Sequence, residues 1–255
     1  MGGTEPMVDV RGLAMRYGGR TVFQDVAFDL SAGQSLGVVG ANGAGKTTLL
    51  RALVGCLCPY RGEIRISGVP PRDAVSRVGV AYFAGEATMP GFVRAAAWGS
   101  LGNGGLASAS TRRDRAKPES VTPDRRQLRS LSRGTRQLIG LRTVLGRHPL
   151  GLVVMDEPWE GLDPDASRWL TTTLEMKRDR GAAVVLSSHR LHDLAGLCDA
   201  YLFLVGHRGT HLKAHEIALT TAVTPSMLTE VFDRLQGAHT GRLEISSEIV
   251  RNKPL

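Results

Sequence analysis

Hydrophobic and polar residues alternate along the first thirty positions of the chain, and that alternation predicts two strands. Residues 8–17 and 21–30 read as extended segments joined by Gly18-Gly19, a pair suited to the positive φ angles of a tight hairpin. In the second segment Val22, Gln24, Val26, Phe28 and Leu30 occupy alternate positions, the period of a half-buried antiparallel strand. Further on the pattern changes to short unbroken apolar runs at 36–39, 152–155, 182–186 and 200–205, as expected of strands buried on both faces. Strands are also expected at 63–67, after a turn at 59–62, and at 76–83. Helices are expected over 49–53, 166–180, 191–197 and about 138–145. In the last of these Leu138, Leu141 and Leu145 recur at helical spacing until Gly146 and Pro149 stop them. Strands alternating with helices predict an α/β fold, a parallel sheet covered on both faces.

One stretch breaks this order. After a short helix-compatible run at 93–98, residues 99–110 are rich in Gly, Ser and Ala, and a basic segment follows from Arg112 to Arg136. An inserted subdomain is expected there. The domain reading is therefore a core of 1–88 and 136–215, an insert of 89–135 and a tail of 216–255. In the tail, Met227, Leu228, Val231 and Leu235 share one side of a predicted helix beginning near Thr224.

Composition changes the picture little. The chain has 255 residues, 42% hydrophobic and 22% charged, enough to bury a full core. No run approaches the ~18 apolar residues that span a bilayer, and the start of the chain lacks the basic and apolar regions of a signal peptide. Three cysteines, Cys56, Cys58 and Cys198, match no metal spacing and suit a reducing compartment. A soluble, cytosolic protein is expected. The net charge of +8 concentrates between Arg112 and Arg136, opposed there only by Asp114, Glu119 and Asp124. With no aromatic residue interleaved, a stacking platform for single-stranded nucleic acid is not indicated. A solvated basic surface or a face towards membrane phospholipid or a membrane partner remains.

Candidate chemistry begins at Gly40-Ala41-Asn42-Gly43-Ala44-Gly45-Lys46-Thr47-Thr48, a phosphate-binding loop pattern between an apolar strand and a helix. The glycines let backbone N–H groups turn inward around an anion. Lys46 would reach the β- and γ-phosphates, and the Thr47 hydroxyl would ligate Mg²⁺. Asp156 and Glu157 end the apolar run at 152–155. Two carboxylates there are costly unless a cation or a reaction uses them. Asp156 is expected to hold Mg²⁺ and Glu157 to polarise an attacking water. His189 ends another apolar run, within expected reach of a γ-phosphate, although an ordinary loop histidine reads the same way.

The order of these motifs resembles the ATP-binding cassette (ABC) ATPases over residues 7–209, about four fifths of the chain. Tyr17 stands where that family places an aromatic on adenine. Ser130-Leu131-Ser132-Arg133-Gly134-Thr135-Arg136-Gln137 is similar to the family signature, Gly161-Leu162-Asp163 to its dimer-contacting loop, and His189 to its switch histidine. The resemblance implies a P-loop NTPase core with an N-terminal antiparallel β subdomain and an inserted helical subdomain. It also implies ATP and Mg²⁺ as ligands and a homodimer or heterodimer around two ATP. In that dimer Ser132 and Gly134 would close on the partner's nucleotide. Transmembrane permease subunits would be the partners, placing the chain on the inner membrane face, and no specific nucleic acid is expected.

The match has departures. Arg133 replaces the first signature glycine, a choice also found among exporters, whereas the tail resembles that of metal-chelate importers. Gly85 stands where the family has a glutamine that contacts Mg²⁺ and water, leaving either Glu86 as a partial substitute or slow hydrolysis. Export is the direction favoured. The alternatives are a cassette acting on nucleic acid or the ribosome, and a regulatory ATP binder with weak hydrolysis.

Overall fold

The computed structural model describes residues 5–100, 126–147, 149–219 and 222–239. The Gly/Ser-rich stretch expected at 99–110 lies almost wholly outside the described residues, as do the basic segment up to Arg125 and the end of the tail. Strands β1 (Val8–Tyr17) and β2 (Arg20–Leu30) form the hairpin expected at Gly18-Gly19, whose φ angles of 53° and 81° are both left-handed. β4 (Arg61–Ile66) pairs antiparallel with β1. β3 (Ser35–Gly40) leads into α1 (Lys46–Leu53). Four further strands, β5 (Val80–Phe83), β6 (Leu152–Asp156), β7 (Ala183–Ser188) and β8 (Ala200–Val205), join β3 in parallel. The nine-stranded sheet has the order β4-β1-β2-β9-β8-β3-β7-β6-β5, so one sheet holds both the antiparallel and the parallel part.

The two parts meet at β9 (Arg208–Lys213), which pairs antiparallel with β8 along six residues and touches β2 at Gln24. Sequence pattern misses β9 because its residues are mostly polar and only half-buried. It is a strand because β8 offers it a ladder.

Alternation along the buried strands sorts residues to two cores. Val38, Leu152, Val154, Val185 and Leu202 face α1, whose Leu49, Leu50 and Leu53 are fully buried. Val39, Val153, Met155, Val184, Leu186 and Phe203 face the opposite side. There they meet Leu141 and Leu145 of α4 (Arg133–Leu145) and Leu170 and Leu174 of α5 (Pro164–Asp179). Each such leucine contributes about 1.5–3 kcal/mol of burial. Short helices α2 (Pro71–Ala74), α3 (Ala95–Ser100), α6 (Leu191–Leu194) and α7 (Ala214–Ile217) fill connections, and α8 (Pro225–His239) covers α6 and β8 through buried Leu228.

Two expected elements are shorter than the sequence suggests. The strand predicted over 76–83 begins only at Val80, because a π-helical turn over Val75–Gly79 extends α2 until Gly79 takes φ 71°. A Cβ at Gly79 would lie 2.2 Å from the Pro149 carbonyl oxygen, so the close approach also demands glycine. The helix predicted over 191–197 ends at Leu194, and Gly196 turns the chain with φ 71°. Where the insert was expected, its two ends are tied together: Ala95 N–H donates to Arg126 O (3.0 Å) and Leu128 N–H to Val93 O (2.9 Å).

Candidate functional site

The phosphate-binding loop hangs between β3 and α1, and its shape follows from its glycines. Gly43 and Gly45 take φ 80° and 102°, and no atom lies within 4 Å of where a Cβ on Gly43 would stand. Gly45 is hemmed in instead: a Cβ there would meet Val22 Cγ1 at 2.7 Å and Phe23 at 2.9 Å. The hairpin strand β2 thus braces the loop. Gly40 is somewhat less tight, with Ala44 Cβ and Leu204 O at 3.0 and 3.1 Å from a Cβ there, while Ala44 N–H closes a turn onto Ala41 O. Asn42 is exposed and Thr48 half-buried.

Lys46 is buried to 7% exposure, yet its ammonium is held mainly by backbone carbonyls, Gly40 O at 2.8 Å and Ala41 O at 3.4 Å. Its nearest carboxylate oxygen, Glu157 Oε1, is 3.6 Å away. A buried cation so lightly countered, at the N-terminus of α1 beside a glycine-rich loop, fits a polyanion. Thr47 Oγ1 donates to Asp156 Oδ2 at 2.5 Å, so the hydroxyl and carboxylate expected to serve one Mg²⁺ do converge. Both fit a hard cation that takes its other oxygens from phosphate and water.

Asp156 and Glu157 are pulled apart by a backbone kink. Asp156 ends β6 with 7% exposure, its Oδ1 accepting from Ser187 Oγ at 2.5 Å. Glu157 adopts φ 47°, rare for a residue with a side chain and typical of strained functional positions. Its N–H is held by Ser187, through Oγ at 3.1 Å and the carbonyl at 3.2 Å. The kink turns the Glu157 carboxylate outward, where Oε2 accepts from His189 N–H (3.0 Å) and lies 2.9 Å from His189 Nδ1. Lys46, Thr47, Asp156, Glu157 and His189 therefore form one connected cluster. Ser187 was missed by sequence reasoning; only the register that sets it opposite Asp156 reveals it.

In the signature segment Ser132 and Gly134 have their partners outside this cluster, whereas Gln137 Nε2 donates to Glu157 O at 3.3 Å. Ser132 caps α4, its hydroxyl accepting from Thr135 N–H at 3.2 Å, and its side chain is exposed. Gly134 has a role within its own chain: a Cβ there would stand 2.4 Å from Gly161 O, so α4 packs on the loop leading to Asp163. Glu86 does not face the cluster. Its oxygens meet Arg136 Nε at 2.7 Å and Arg133 Nε at 3.2 Å. Buried Gln137, another residue without an expected role, accepts from Glu86 N–H at 3.1 Å and donates to Pro158 O at 3.0 Å. Tyr17 is half exposed beside the hairpin turn.

The profile of the family described as "ABC transporter" matches residues 23–160, which hold the phosphate loop and the Asp156-Glu157 pair. The chain belongs to the ABC transporter family. Relatives include the hemin import ATP-binding protein HmuV of Pseudomonas entomophila, 35% identical over 89% of this chain and 92% of that protein. The zinc import ATP-binding protein ZnuC of Roseobacter denitrificans is 34% identical over 79% of this chain and 76% of that protein. The lipopolysaccharide export system ATP-binding protein LptB of Escherichia coli is 30% identical over 87% and 97%. Among solved structures, the ATP-binding subunit of an ABC transporter covers 88% of this chain and 99% of its own with a TM-score of 0.73 at 23% identity, which shows the shared fold. This ABC ATPase has both importers and exporters among its relatives, so kinship leaves the direction of transport open. No helix among its described residues is long and apolar enough to cross a membrane.

Proposed function

We propose that this ABC ATPase powers a transporter by binding Mg²⁺-ATP in the loop 40–48, dimerising around two such nucleotides and driving separate permease subunits at the inner membrane face. The observation that carries the reading is the cluster in which Glu157 joins Lys46 to His189. In this mechanism the loop N–H groups and Lys46 hold the phosphates. Thr47 and Asp156 hold Mg²⁺, which when bound neutralises phosphate charge in the transition state. Glu157 accepts a hydrogen bond from the attacking water, and its proximity to His189 keeps the carboxylate in place. Ser132 and Gly134 close on the nucleotide of a second copy, and Tyr17 stacks on the base. Arg133 is the residue on which an export direction rests.

Steady-state phosphate release tests the reading. The wild type should hydrolyse ATP, Lys46→Ala should lose binding, and Glu157→Gln should bind ATP but turn over at least a hundredfold more slowly. Turnover unaffected by Glu157→Gln would sink it. Affinity purification from membranes should bring down a polytopic protein; its accompaniment by a solute-binding protein would instead favour import.

A further inference from the structure

Two places depart from the pattern of the resemblance, the missing glutamine at Gly85 and the arginine at position 133, and in the fold the residue beside the first meets the second. Glu86, next to Gly85, has a side chain only 11% exposed, clamped between Arg136 (2.7 Å) and Arg133 (3.2 Å). Arg133 reaches on to Glu160 Oε1 at 2.8 Å, and Arg136 Nη1 donates to Leu131 O at 2.8 Å. Beside them Gln137 ties Glu86 N–H to the carbonyls of Pro158 (3.0 Å) and Glu157 (3.3 Å). The loop after β5, the first turn of α4 and the loop after β6 thus share one charge-balanced cluster, with Arg133 and Arg136 facing Glu86 and Glu160.

This geometry is wrong for a Glu86 that orients water in place of the absent glutamine, since both its oxygens are already engaged by guanidinium groups. It is right for a brace. Arginine suits the task because its planar fork serves two carboxylates at once, which a lysine ammonium does less well. We propose that Glu86 and Arg133 are positioning residues for ATP hydrolysis, an ionic latch that holds Gln137 and, through it, the kinked backbone presenting the Glu157 carboxylate. The proposal rests on the reading of Glu157 as the residue that polarises the attacking water. The latch touches neither the phosphate loop nor Lys46, so it acts on turnover rather than on nucleotide affinity.

The test is a double-mutant cycle in the full chain with Glu86→Gln, Arg133→Gln and both together. Each single variant should lower kcat about tenfold, the scale of one charge-assisted hydrogen bond, with KM for ATP within about twofold of wild type. The double variant should lose clearly less than the product of the two single losses, because both remove the Glu86–Arg133 pair while each also removes one other, to Arg136 or to Glu160. Wild-type kcat should fall with added salt while the variants stay flat. A Glu86→Gln chain that keeps or gains turnover, an Arg133→Gln chain that gains it, or additive losses would overturn the latch. Hydrogen exchange without nucleotide separates this failure from that of the Glu157 reading. In Arg133→Gln the Glu86 amide and the first turn of α4 should exchange about tenfold faster. Unchanged protection overturns the latch whatever the kinetics. Faster exchange combined with a Glu157→Gln chain of normal turnover removes the catalytic role of Glu157 and with it the positioning claim.

Discussion

Ser187 lies between the two carboxylate residues of the cluster, donating to Asp156 Oδ1 and accepting from Glu157 N–H. Removing its hydroxyl leaves a buried carboxylate oxygen short of a donor. Ser187→Ala should therefore lower kcat roughly tenfold, the effect of one hydrogen bond to a charged group, with the protein still folded. Stopped-flow phosphate release and circular dichroism check the two halves of that statement. Gly85 presents the opposite case, a position where adding the glutamine that the resemblance implies there should not help. Its φ of 87° and ψ of 161° fall in a region that residues with a Cβ avoid. Gly85→Gln should cost about 1–3 kcal/mol of stability in denaturant titration and bring no rise in turnover. A faster, equally stable variant would show that the glutamine had simply been lost.

At the scale of elements, α5 contains a lysine under strain. Burial pushes the Lys177 ammonium down to about 8, with Arg180 adding to the effect. The folded chain then holds fewer protons than the unfolded chain between about pH 8 and the ordinary lysine value near 10.5. Stability should therefore rise with pH across that window and be lowest below it, where the buried amine is charged. Lys177→Met should flatten this rise and raise the melting temperature at pH 7, which scanning calorimetry at pH 7, 9 and 10.5 measures. The amphipathic pattern of α4, α5 and α8 was legible in the chain because each places leucines on one face. β9 and the π-helical turn before β5 were not legible. A polar edge strand exists only through its ladder to β8, and the turn at Gly79 answers to the carbonyl of Pro149, seventy residues away.

For the whole molecule the strongest prediction concerns association. Slowed hydrolysis should leave two copies joined around nucleotide. The Glu157→Gln chain with Mg²⁺-ATP is accordingly expected to elute as a dimer in size-exclusion chromatography with light scattering, and the wild type as a monomer. Monomer in both cases would count against the shared-nucleotide arrangement. The net charge of +8 sets no further requirement at this scale. The part of its largest concentration up to Arg125 lies outside the described residues.

The phosphate loop, the carboxylate pair and the buried parallel strands could be named from the chain alone. Each is a local pattern whose chemistry depends on neighbours in sequence: glycines beside Lys46 and Thr47, an apolar run ending in Asp156 and Glu157. Those patterns were also enough to point to an ATP-binding cassette. Contacts across the sheet decided the rest. Register set Ser187 opposite Asp156, the kink at Glu157 turned one carboxylate towards His189 and left the other with Thr47, and packing made Gly134 a seat for Gly161. Glu86 is the clearest instance. From sequence it was a candidate substitute for a missing glutamine; in the fold, Arg133 and Arg136 engage both of its carboxylate oxygens, a pairing that no spacing along the chain announces.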